Sequence, residues 1–155
     1  MTAAIRRLAP GDYRTMRWKN GLGETVEIDR SGDASDQLGD FDWRLSLAQV
    51  AADGPFSVFP GVERTITVVE GAGMELILAD ANRHRLLPMR PFTYDGGTAI
   101  EGLLLDGPVR DFNVMVRRTA WRASCHIAQP HRSADNAMPT DITFVVALGS
   151  PVDVV

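Results

Sequence analysis

Fourteen glycines and nine prolines punctuate this chain about every 8–12 residues, and no stretch between them carries a sustained helical repeat. That density of turn signals is the pattern of an all-β sandwich or barrel. Between the breaks lie short alternating runs. Thr25-Val26-Glu27-Ile28 alternates. Trp43 to Ala48 does too, with Trp43, Leu45 and Leu47 on one face and Arg44, Ser46 and Ala48 on the other. Gly54-Pro55-Phe56 and Pro60-Gly61 read as turns. Arg64 to Glu70 is rich in β-branched residues and ends at Gly71-Ala72-Gly73, so the next run, Met74 to Leu78, is predicted to pair with it as an antiparallel hairpin.

The later half keeps the same style. Asp80 to Pro88 is polar and reads as a connecting loop, Ala99 to Leu105 as a strand, and Asp106-Gly107-Pro108 as a turn. In Asp111 to Arg117 the residues Asp111, Asn113, Met115 and Arg117 share one face, and Phe112, Val114 and Val116 the other. Trp121 to Ala128 is predicted as a further strand, Gln129 to Asp141 as a loop, and Phe144 to Val154 as strand, turn, strand. A hairpin as apolar as this last one needs another strand to cover it, which suggests a truncated product.

The whole chain, 155 residues, suits a single domain by the usual span of roughly 100–200 residues. Sixteen basic against twenty acidic side chains leave a net charge of −4, which disfavours a nucleic-acid partner. Cys125 is the single cysteine, so no internal disulfide can form and a reducing compartment is expected. Residues 1 to 8 lack the apolar core of a signal peptide, and the longest uncharged apolar run, Phe144 to Val152, is far below the roughly 20 residues of a membrane span. A cytoplasmic protein with no membrane partner is the expectation.

Metal and nucleophile chemistry find little support. His84, His126 and His131 show none of the close paired spacings of metal sites. Ser46 lacks the glycine-flanked turn that exposes a nucleophile. Gly21-Leu22-Gly23 and Gly71-Ala72-Gly73 lack the Lys-Ser/Thr of a phosphate loop. No metal and no cofactor is predicted. What remains is polar residues on strand faces: Arg44 with Ser46, Asp111 with Asn113 and Arg117, Arg64 after its turn, and the aromatic-basic-amide turn Trp18-Lys19-Asn20-Gly21. Arginine grips a carboxylate with two parallel hydrogen bonds, and asparagine both donates and accepts. Either these side chains line an interior that receives a small anionic or amide-bearing molecule, or they face solvent opposite the core.

Four ordered segments carry a resemblance to a known family. They are Trp18-Lys19-Asn20-Gly21-Leu22-Gly23-Glu24-Thr25, Phe41-Asp42-Trp43-Arg44-Leu45-Ser46-Leu47-Ala48, Asp53 to Arg64 (through Gly54-Pro55-Phe56, Phe59 and Pro60-Gly61), and Gly107-Pro108-Val109-Arg110-Asp111-Phe112-Asn113-Val114-Met115. Together they resemble the signatures of the HutD/Ves family over residues 18 to about 118. The resemblance implies an all-β, cupin-type fold of two small β-barrels (a bicupin) without the metal-binding histidines of ordinary cupins. Residues 1–155 would form one such unit, with the first barrel over roughly 15–118. The closing strands of an incomplete second barrel would begin over roughly 119–155.

The resemblance also implies association with bacterial histidine utilisation, and a non-enzymatic role in binding a carboxylate-bearing intermediate such as formiminoglutamate or urocanate. On these positions the ligand-binding residues are Trp18, Lys19, Asn20, Arg44, Ser46, Phe59, Arg64, Asp111 and Asn113. Arg44 and Arg64 would act as carboxylate forks, with Asn20, Ser46 and Asn113 on an amide or formimino group and Asp111 beside a cationic nitrogen. Two alternatives stay open. One is a metal-independent cupin isomerase or hydrolase with Asp111 or Glu70 as general base; the other is a stress-induced interaction module that forms a homodimer. Leu22 stands where the family commonly has a glycine, and its side chain narrows the approach to Lys19 and Asn20.

Overall fold

The computed structural model describes residues 6–32, 40–128 and 142–148. The chain divides into two compact units, Met1–Cys125 and His126–Val155. In the first, a 3-10 turn at Pro10–Asp12 precedes ten strands: β1 (Arg14–Arg17), β2 (Gly23–Arg30), β3 (Trp43–Val50), β4 (Gly54–Pro55), β5 (Val62–Glu70), β6 (Met74–Leu78), β7 (Arg83–Leu86), β8 (Phe92–Asp95), β9 (Ile100–Leu104) and β10 (Val109–Arg117). They form two antiparallel sheets, one in the order β1-β2-β3-β10-β5-β8 and the other β4-β9-β6-β7. The fold is all-β, with no α-helix and no closed barrel among the described residues. No helix among those residues is long and apolar enough to cross a membrane.

The main core lies between the sheets. Val50, Ile66, Val68, Tyr94 and Val109 from the six-stranded sheet meet Met74, Leu76, Leu86 and Ile100 from the four-stranded one. Alternation then places the opposite side chains of β3 and β10 on the outer face, where Leu45 and Phe112 cluster with Ile28 under Leu8 and Tyr13 of the N-terminal segment. This six-stranded sheet is therefore covered on both sides at its centre, and a polar residue on either face there is buried.

The predicted hairpin between Arg64–Glu70 and Met74–Leu78 does not form. β5 is flanked by β10 and β8, and β6 by β7 and β9. Gly71 and Gly73 sit at φ 97° and 107°, and a Cβ added to them would come within 2.6 Å of the Pro108 carbonyl and 2.5 Å of the Leu86 carbonyl, respectively. The Gly-Ala-Gly turn is thus a corner that carries the chain from one sheet to the other. Positive φ and close backbone contact both demand glycine there.

Four other expectations change. Gly54-Pro55 is a short edge strand on β9 rather than a plain turn. The 80–88 stretch holds β7, whose hairpin turn is closed by Asp80 Oδ1 accepting from the Asn82 amide at 3.0 Å. Its strand character was hidden because charged Arg83 and Arg85 alternate with half-buried His84 and buried Leu86. Residues 121–128 adopt no strand, and the chain turns directly after β10, with the Trp121 amide donating to the Arg117 carbonyl at 2.9 Å. In the second unit, residues 126–128 and 142–148 also carry no strand, so the first run of the predicted C-terminal hairpin is not a strand over 144–148. Its remainder at 149–154, and the loop expected at 129–141, lie outside the described residues.

Candidate functional site

Inward-facing positions on neighbouring strands fall into register rows. In the first, Met115 of β10 stands between Arg44 of β3 and Arg64 of β5. Asn113 stands between Ser46 and Ile66 in the next, and Asp111 between Ala48 and Val68 in the third. The polar face of β3 and β10 is therefore the interior one. Arg44 and Arg64 are only 4% and 7% exposed, and Ser46, Asp111 and Asn113 are buried.

Two bulges adjust this lining. On β2 the register shifts between Glu27, opposite Ser46, and Asp29, opposite Leu45. The extra residue keeps Glu27 inward while Asp29 takes the outer side. On β10 the register against β5 shifts between Arg110 and Asp111. Bulges next to functional residues commonly re-aim a side chain in this way.

The lining forms two hydrogen-bonded groups. Arg44 Nε donates to Glu27 Oε2 at 2.6 Å, a buried ion pair. Arg64 Nε donates to Asn113 Oδ1 at 2.8 Å, and Asn113 Nδ2 donates in turn to Asp111 Oδ1. The Arg64 guanidinium carbon lies 5.2 Å from the Phe56 ring centroid and 5.7 Å from that of Tyr94, so two aromatic faces flank the cation. Phe56 fits because Gly102 opposite it has no side chain; a Cβ there would come within 2.8 Å of the ring.

Burial pushes the Asp111 carboxyl up to about 6, against the opposing pull of Arg64 and of the Asn113 hydrogen bond. It also raises the Tyr94 phenol, with Arg64 opposing and Asp111 reinforcing the change. Three buried atoms on this lining have no hydrogen-bond partner: Arg44 Nη2, Asp111 Oδ2 and the Tyr94 hydroxyl. An unsatisfied buried polar atom costs about 1–3 kcal/mol. A polar group that donated to Asp111 Oδ2 or accepted from Arg44 Nη2 and the Tyr94 hydroxyl would recover much of that cost.

The residues expected to bind are only partly brought together. Arg44, Ser46, Arg64, Asp111 and Asn113 converge. Lys19 and Asn20 do not: both are exposed in the β1–β2 turn, where Asn20 Oδ1 accepts from the Leu22 amide at 3.0 Å. That turn adjoins Gly23, paired with Val50, whereas Arg44 stands opposite Arg30. Six residues along β3 separate the two ends, about 20 Å at the usual strand rise. Trp18 packs against the main core, and its Nε1 donates to Thr25 Oγ1 at 2.8 Å. Phe59 is buried with Phe41, Val62 and Met115, so it closes the interior beside the Arg44–Met115–Arg64 row.

Glu70, an alternative general base, is exposed and pairs with Arg110 at 3.3 Å. It borders a groove of about 170 Å³, lined also by Glu24, Leu47 and Gln49, to which none of the converging residues contributes. Glu27, Phe56 and Tyr94 were missed by sequence reasoning. Glu27 does stand in the alternating Thr25–Ile28 run, but its partner is set by a bulge that leaves no local signal. Among the described residues no three His, Cys, Asp or Glu side chains stand together as metal ligands. His84 instead stacks on Phe92, ring centroids 3.7 Å apart.

Comparison with known proteins places this architecture. The sequence matches the HutD family over residues 11–154. The chain belongs to the HutD family. It is 40% identical over 119 residues to an uncharacterised 21.2 kDa protein in the hutC 3′ region of Pseudomonas putida, covering 77% of this chain and 62% of that protein. Among solved structures it is similar to HutD from Pseudomonas fluorescens SBW25, with 43% identity and a TM-score of 0.64, covering 72% of this chain and 59% of the other. A conserved protein of unknown function from Pseudomonas aeruginosa PAO1 gives 43% identity and a TM-score of 0.68, with coverage of 72% and 57%. The chain thus spans about three fifths of the length of these relatives. A more distant likeness to KdgF from Halomonas sp., at 14% identity and a TM-score of 0.55 over 74% of this chain and 96% of that one, shows the fold alone, which is cupin-like. The family is linked to the histidine utilisation locus.

Proposed function

We propose that this HutD chain is a non-enzymatic receptor for a small carboxylate-bearing intermediate of histidine utilisation. Formiminoglutamate and urocanate are the candidates. The observation that carries the reading is the interior lining itself: two buried guanidinium groups within one row, flanked by Ser46 and Asn113, with unpartnered Arg44 Nη2, Tyr94 hydroxyl and Asp111 Oδ2 on the same face. Arg44 and Arg64 take the carboxylate, because guanidinium groups held by Glu27 and Asn113 through Nε keep further N–H donors for an anion. Ser46 and Asn113 supply the neutral polar contacts, and Phe59 closes the end of the site.

Thermal shift measurements with each candidate at millimolar concentration test the reading. A ligand at a hundredfold excess over its Kd stabilises the fold by about 2.7 kcal/mol, so a clear rise in Tm is expected with at least one candidate. Arg64→Met, which removes the fork without isolating a charge partner as close as Glu27, is expected to abolish the rise. No shift with either compound refutes the assignment.

A second reading rests on Asp111. A buried carboxyl pushed up to about 6 suits general acid-base work near neutral pH. Turnover of either compound to a new product, detected by mass spectrometry and lost in Asp111→Asn, would favour an enzyme.

A further inference from the structure

The same lining carries a consequence in charge. Its ionic side chains are two guanidinium groups, Arg44 and Arg64, and two carboxyl groups, Glu27 and Asp111, all buried. With all four ionised the lining is neutral, so a carboxylate entering it leaves one uncompensated negative charge away from water, which is strongly unfavourable. The two carboxyl groups differ in their ability to relieve this. Glu27 is held directly by Arg44 at 2.6 Å. Asp111 is hydrogen-bonded to Arg64 only by way of Asn113, and its Oδ2 has no hydrogen-bond partner.

We propose that this site takes up its anion together with one proton, which is held on Asp111 Oδ2. The inference rests on the reading of the lining as a carboxylate receptor. The proton comes from solvent and no bond of the ligand is broken. Protonation turns an unpartnered acceptor into an O–H donor on the face where the anion sits, and it frees Arg64 from sharing its charge between two carboxylates. The surroundings allow it. Next to Asp111, β3 presents Ala48 and β5 presents Val68, while Arg64 on β5 and Tyr94 on β8 are the ionisable groups that act on it. Arg44 and Glu27 on β3 and β2 neutralise each other. Across the core, β6, β7 and β9 present Met74, Leu76, Leu86 and Ile100, and the ionisable side chain on those inward positions is His84, stacked on Phe92. The buried carboxyl already holds its proton more tightly than an exposed one, which keeps the uptake within reach near neutral pH.

Formate is a suitable probe, since it is the smallest carboxylate and has no second group that titrates between pH 6 and 8. Its Kd is measured on the whole chain at pH 6, 7 and 8. Proton-linked binding predicts weakening that approaches about tenfold per pH unit above neutral and a flat profile in Asp111→Asn. Difference infrared spectra of the unaltered protein should also gain a protonated-carboxyl band as formate binds, which keeps the test independent of how well the variant folds. A Kd that stays constant with pH, or one that tightens as pH rises (as when Asp111 pairs as an anion with a cationic group), overturns proton uptake while leaving the receptor reading intact. Absence of formate, formiminoglutamate and urocanate binding at every pH overturns both.

Discussion

Replacing Arg44 by methionine isolates Glu27 in the interior, and the outcome can be worked from the geometry. The pair is 2.6 Å apart with side chains 4% and 8% exposed. At that distance and an effective dielectric of about 20 the attraction is about 6 kcal/mol. Most of it offsets the hydration both groups give up on burial, so the pair adds little to stability as a unit. Removing one partner is different, because the other keeps its desolvation cost: the expected loss is about 3–5 kcal/mol. For a chain of this size that is a fall in Tm on the order of 10 °C.

The double variant Arg44→Met with Glu27→Leu removes both charges and fills the space with apolar atoms. It should return to within about 1 kcal/mol of the original chain, or exceed it. Urea denaturation followed by tryptophan fluorescence, on the two single variants and the double, measures the coupling. A loss below about 1 kcal/mol in Arg44→Met, or a double variant as unstable as the sum of the singles, would refute the description of this pair as desolvated and mutually dependent.

The remaining predictions concern other parts of the fold. The Asp111 carboxyl, raised to about 6 in the folded chain, binds a proton more tightly there than in the unfolded chain, where about 3.9 is usual. Its effect is therefore to lower stability as pH rises from about 4 to 6, by a few kcal/mol at most, and Asp111→Asn should remove that slope and raise stability at pH 7 when urea midpoints are compared. Gly73→Ala should cost more than about 2 kcal/mol, because it combines a positive φ with a Cβ placed 2.5 Å from the Leu86 carbonyl; a midpoint change within experimental error would refute the corner assignment. Lys19→Ala, in the exposed turn at the far end of β3, should leave carboxylate affinity within about twofold if the converging arginines carry the binding, as calorimetry would detect.

Much of the fold was legible in residue order. The alternation of Trp43–Ala48 and Asp111–Arg117 is a local property, read with a period of two, and it paired Arg44 with Ser46 and Asp111 with Asn113 on common faces without any coordinates. What alternation leaves open is which face is inside. The apolar set with Leu47 and Val114 and the polar set with Arg44 and Asn113 each fit either side, and the structure turns the polar set inward. The reason lies in distant chain: Leu8 and Tyr13 cover the apolar outer face, and the four-stranded sheet covers the inner one. The failed hairpin has a similar origin. Glycine turns between two apolar runs are read locally as a tight return, but β5 already has two neighbours, from residues about 50 and 30 positions later in the chain, so β6 is left to the second sheet.

The sequence by itself determined the all-β class, most strand positions, the family and the residue types that define the interior chemistry, because each of these follows from spacing and side-chain character within a few residues. Only the tertiary structure decided that Glu27 neutralises Arg44, that Asn113 links Arg64 to Asp111, and that Lys19 and Asn20 stand apart. Those outcomes depend on strand order, on two bulges and on the low dielectric of a doubly covered sheet. They come from neighbours separated by as many as 49 positions along the chain, which no local pattern encodes.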